Sequence, residues 1–182
     1  MKYTFLSISI FLITIESYCQ DECIIFKKVI DEYVLKYRQP GIKYSSTTLI
    51  VLETPNYMRK IVITDFLRYK NQYNKFHENT LFDFIERNQD GLQMDCSKYP
   101  KIDIIIVNQE QSKNWEKLLA TYPDWNFSIL EFSNIGFNED KTQALLYYGF
   151  DSGPGVGGGI YIILEKKRGK WKKKAVIPAW AA

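Results

Sequence analysis

The stretch TQALLYYGFDSGPGVGGGIYIILEKKRGKWKKKAVIPAW, residues 142–180, decides the fold class. It holds three strand-like runs, Thr142–Phe150, Gly159–Glu165 and Lys170–Trp180, rich in aromatic and β-branched residues. A fourth run, Phe127–Ile135, precedes them, and the joins are short: Asn138-Glu139-Asp140, the glycine-rich Gly153–Gly159, and Arg168-Gly169. Short joins pair neighbours in sequence as neighbours in space, so these runs predict a four-strand antiparallel meander.

Upstream the pattern changes period. Cys23, Phe26, Ile30, Tyr33, Val34 and Tyr37 recur at three and four between Asp21 and Arg38, the spacing of one helical face, and Pro40-Gly41 stops it. Thr47–Leu52 and Lys60–Thr64 read as two strands split by Thr54-Pro55-Asn56. Thr80 opens a short helix as a cap, with Asp83 three residues on in the position of a capping box and Leu81, Phe84 and Ile85 as the buried side. Ile102–Val107 is a strand, and a helix follows around Ser112–Tyr122. Helices early and strands late predict an α+β domain, its N-terminal helices packed on one face of a mainly antiparallel sheet.

The N-terminus reads as an export signal: Lys2, the apolar run Tyr3–Ile15, and Ser17-Tyr18-Cys19 as a small-x-small cleavage site. A spanning helix needs roughly 20 apolar residues, more than this run supplies. Residues 1–19 are thus a signal peptide and 20–182 a single α+β domain, exported to the periplasm or secreted, without a transmembrane segment after cleavage. A lipoprotein anchored through Cys19 is the alternative.

The formal net charge is +3, and cleavage leaves it unchanged because Lys2 and Glu16 depart together, so no obligatory polyanion partner is implied by the total. Cys23 and Cys96 remain, an even number in an oxidising compartment, and are the disulfide candidate. With His77 the single histidine, the chain lacks four clustered zinc ligands, and neither a metal nor another cofactor is expected.

Three features invite function. Gly153–Gly159 suggests a phosphate loop, but such loops run into a helix N-terminus, and this one runs into a strand. Lys166, Lys167, Arg168, Lys170, Lys172, Lys173 and Lys174 crowd around Gly169 and Trp171 at a hairpin tip. Lys167, Arg168, Lys170, Lys172 and Lys174 could hold phosphates or sulfates there while Trp171 stacks on a base or sugar; the bland alternative is a solvated tip whose lysines block edge pairing. Third, His77 with Asp65 or Glu78 could build a small hydrolase site if they converge in space; Asp83 with Glu86 are merely i, i+3 neighbours on the short helix. Asp124-Trp125 and Trp180 suit carbohydrate stacking as well as core packing. No catalytic motif is present, so the sequence favours a noncatalytic binding domain whose partner is a polyanion, a glycan or another protein, over a small hydrolase.

Finally, Tyr122-Pro123, Ser133 with Ile135-Gly136-Phe137-Asn138, Lys141-Thr142-Gln143-Ala144-Leu145, the glycine-rich turn, Leu164-Glu165-Lys166-Lys167, Gly169-Lys170-Trp171 and Trp180 together form a pattern. It resembles the C-terminal pattern of a group of small exported proteins of uncharacterised function from Gram-negative bacteria. The chain departs from that pattern in lacking cysteines within Gly153–Gly159 and in having Ala181 after the last Trp. The resemblance implies an exported α+β domain and carries no catalytic residues. The sheet-ending Gly169-Lys170-Trp171 and Trp180 are also similar to cone-shaped NTF2-like domains.

Overall fold

A computed structural model describes residues 21–35, 49–53, 77–89, 104–107, 114, 117, 120–121, 129–151 and 155–181. The chain divides into two compact units, residues 1–43 with 95–99, and residues 44–94 with 100–182.

In the first unit residues 21–29 form α1, which widens into a π-helical turn over Ile30–Leu35. Its buried stripe is Ile25, Phe26, Val29 and Ile30, with Asp21 buried at its start. The expected face was displaced to one side: it held Phe26 and Ile30 but missed Ile25 and Val29, and Cys23 and Tyr33 are half-buried, since the fully buried positions follow the i, i+4 pairs 21/25/29 and 26/30. Cys23 is disulfide-bonded. Its partner lies outside the described residues.

The second unit is a seven-stranded sheet: β1 Leu49–Glu53, β2 Ile104–Val107, β3 Ile129–Phe132, β4 Gly136–Phe137, β5 Gln143–Asp151, β6 Gly157–Lys167 and β7 Lys170–Ala181. The order is β2-β1-β3-β5-β6-β7, with β4 also pairing β5. β1 runs parallel to both β2 and β3; every pairing from β3 onward is antiparallel. The fold is α+β with a mainly antiparallel sheet, and the C-terminal runs form the meander that the short joins predict. β1 and β2 are LIVLE and IIIV, the continuous apolar runs of parallel strands. Because β2 and β3 flank β1, its pairing is with distant strands; the expected strand at 60–64 lies outside the described residues.

One helix, α2 (Glu78–Arg87), packs on the sheet. Phe84 enters a core with Leu145, Tyr147, Tyr161, Ile163 and Ile177, and Leu81 and Ile85 pack against it. Gly136 lies directly under Phe84: a side chain there would collide with the helix backbone. Burying Phe84 and its neighbours supplies on the order of 2 to 3 kcal/mol per large side chain.

The capping box expected at Thr80 is not what holds α2. The helix starts two residues earlier, with His77 in the cap position and no side-chain cap of its own. Thr80 is fully buried, its hydroxyl donating to Oε1 of Gln143 at 3.3 Å, and the His77 backbone N–H donates to the same atom at 3.0 Å. Asp83 instead accepts the Phe137 N–H at 2.7 Å and pairs with Arg87 at 2.8 Å. At the other end the Asn134 amide donates to the Arg87 carbonyl (2.6 Å), and Asn88 exchanges hydrogen bonds with the Asn134 backbone. Long-range groups thus satisfy the helix ends, where local ones were expected.

Of the helix expected around Ser112–Tyr122, positions 117, 120 and 121 are helical, and the Asn114 side chain accepts the Lys117 N–H at 3.1 Å in N-cap fashion. No described helix is long and apolar enough to cross a membrane.

Candidate binding surfaces

β6 and β7 meet at Arg168-Gly169, both with positive φ (51° and 74°), as a two-residue hairpin loop requires; glycine takes that backbone without strain. Lys167 pairs with Lys170 across the ladder and Glu165 with Lys172. Lys167, Arg168, Lys170, Lys172 and Lys173 are exposed, whereas Lys166 and Lys174 are half-buried. One carboxylate sits among them: Glu165 accepts from Lys174 and from Lys167, each at 2.8 Å. Those two ammonium groups hold its carboxyl down to about 2, well below the usual carboxylate range. Glu165 is therefore ionised above about pH 2 and sets one negative charge against the seven basic residues of the tip.

Trp171 does not join this surface as a stacking platform. It is 5% exposed, with its ring against Phe137 (centroids 5.9 Å) on one side and the Lys166 ammonium 5.4 Å from its centroid. Its register places it opposite Lys166, on the buried face of β7, while its lysine neighbours alternate outward. An anion at this tip meets charge alone.

Of the residues of the hydrolase alternative, His77 and Glu78 are described. His77 and Glu78 are exposed at the start of α2, Asp83 is occupied by Phe137 and Arg87, and Asp65 lies outside the described residues, as do Asp124, Trp125 and Cys96. No group of three or more metal-ligating side chains is found among the described residues. The turn after β4 is also spoken for: Asn138 accepts from the Thr142 and Gln143 N–H groups and donates to Asp140, whose carboxyl the Thr142 hydroxyl pulls below its ordinary value.

At the far end of β6 the structure assembles a constellation that sequence reading missed. Register puts Glu131, Gly149, Gly159 and Trp180 in one row across β3, β5, β6 and β7. Tyr147, one step back on β5, is completely buried and leans along the strand so that its hydroxyl enters the gap above the two glycines. The Trp180 indole N–H donates to that hydroxyl at 2.8 Å, and the hydroxyl donates to Glu131 at 3.3 Å. Both glycines are obligatory: a Cβ at Gly149 would stand 2.5 Å from the Tyr147 oxygen, and one at Gly159 would strike that oxygen and the indole nitrogen. Burial pushes the Glu131 carboxyl up, and the charge of Asp151 adds to it; burial likewise raises the Tyr147 phenol.

The expectation that Gly153–Gly159 leads into a strand holds, since β6 begins at Gly157. What the sequence could not show is that its glycines are cut to the shape of Trp180, whose benzo end lies over Gly157 and whose pyrrole edge lies over Gly159. The only available signal was the spacing Gly157-x-Gly159 on one face of a strand, opposite a terminal Trp. Comparison with protein-family models, with curated proteins and with solved structures finds no match to this chain.

Proposed function

We propose that the chain is a noncatalytic binding domain that docks a polyanion on the β6–β7 hairpin. The observation that supports this reading is the concentration of five exposed cations on and beside a two-residue turn, with Glu165 the single acid among them. A net charge of +3 for 182 residues understates this, because seven of the 24 basic residues lie within nine positions. Such a surface attracts repeated phosphate or sulfate groups through charge and counterion release, without reading a base or sugar identity, as the burial of Trp171 requires.

The test is a triple variant, Arg168→Glu, Lys170→Glu and Lys172→Glu. These side chains are exposed, so the thermal unfolding midpoint should move by no more than a few degrees. Binding to a sulfated polysaccharide, to single-stranded nucleic acid and to anionic lipid vesicles should be compared in parent and variant. The parent should bind at least one of the three with an affinity that falls steeply with salt, and the variant should lose about tenfold or more. Equal binding by both proteins would overturn the reading, and the three probes separate sulfate from phosphate and chain from membrane surface.

A further inference from the structure

At the opposite end of β6 from the basic tip, roughly 26 Å away by the strand rise, stands an aromatic plane of different chemistry. Trp180 is 40% exposed, a large value for an indole so firmly held. Its position is fixed from three sides: the glycine backbone of Gly157 and Gly159 lies against it, and Tyr147 accepts its N–H. An aromatic ring that is already immobile loses little entropy when a ligand lies against it.

The rim of the plane is acidic among the described residues. Asp151 is exposed one step along β5 from Gly149, Glu131 is half-buried at the end of the row, and the charge of Asp151 adds to the upward push on the Glu131 carboxyl. Gly155, with φ of 74°, has nothing within 4 Å of where a side chain would stand, so no side chain of its own walls off the turn leading into β6. Val156, 55% exposed, adds a small apolar surface there.

We infer that this row is a carbohydrate-binding site, in which a neutral sugar ring lays its C–H face on Trp180 and its hydroxyls donate to Asp151 and Glu131. Carboxylates at the rim repel phosphate and sulfate, so the ligand of the basic tip is excluded here by charge. A cationic amine meets one flat ring, whereas rings recognise such ligands by boxing them from several sides. A pyranose needs one plane with acceptors at its edge, which is what β5, β6 and β7 present. This site is independent of the hairpin proposal, and either can fail alone.

The test uses the whole chain and soluble neutral tetrasaccharides, with glucose and N-acetylglucosamine repeats as the probes, followed by NMR. The Trp180 indole N–H signal is identified by its loss in Trp180→Phe. It should shift on titration with at least one tetrasaccharide, and Asp151→Ala, an exposed change that leaves the fold intact, should weaken that binding about tenfold, the scale of one lost contact. The triple hairpin variant should bind the sugar as the parent does. An indole signal unmoved by millimolar tetrasaccharide overturns the inference, and so does a shift with tetramethylammonium in place of the sugars, which would assign the plane to a cation.

Discussion

Gly159 carries more structure than any other small residue in the chain, because two side chains meet above it. Gly159→Ala would drive a methyl group into the Tyr147 hydroxyl and the Trp180 indole, neither of which is a freely swinging chain end. We expect a loss of about 1 to 3 kcal/mol, read as a lower denaturation midpoint in urea with an unchanged slope. Glu131 gives a second residue-scale prediction. Its folded carboxyl titrates above its unfolded value near 4.5, so the folded state binds the proton more tightly. Stability is therefore highest below the unfolded value and declines as pH rises through the window up to the raised folded value. Glu131→Gln keeps an acceptor for Tyr147 but cannot ionise. Its unfolding midpoint should vary less between pH 4 and 7 than the parent's, which a thermal melt series across roughly that range would show.

At the scale of elements, α2 is docked by groups that come from the sheet side of the molecule. Gln143 accepts both the His77 N–H and the Thr80 hydroxyl, and it is 1% exposed. Gln143→Leu would take the acceptor from two donors, the buried Thr80 hydroxyl and the part-buried His77 N–H. The expected cost is about 2 kcal/mol, and faster hydrogen exchange should appear at His77 and Thr80 before it does in β5 or β6. This is also where the sequence proved partly legible. The meander was readable because β-branched and aromatic runs with short turns leave little choice, and α2 was readable from Leu81, Phe84 and Ile85. The cap was misread because a Thr with an acid three residues on is a strong local pattern, whereas the group that actually serves lies 63 residues away. The basic tip was visible as a string of lysines, but the burial of Trp171 depends on strand register, which composition does not encode. The Glu131, Tyr147 and Trp180 chain was invisible for the same reason: its three members come from three strands and meet only through pairing.

For the whole molecule, the covalent link at Cys23 is the constraint to test first. The sequence offers Cys96 as the partner to test, with Cys19 the third cysteine of the chain. We expect peptide mapping of the protein without reduction to recover Cys23 joined to Cys96. Recovery of a Cys19 link would mean that the segment before residue 20 is retained. The order of strands carries a further consequence, in time. β5 and β6, which lie inside the sheet, are made from the last 40 residues of the chain, and β3 finds its antiparallel neighbour only when β5 exists. Without β5 the three parallel strands β1, β2 and β3 and helix α2 lack the ladder they dock against. Closure of the sheet needs β1 to find β2 and β3, 55 and 79 residues further along the chain, and pairing over such separations makes folding slow compared with a fold of local contacts.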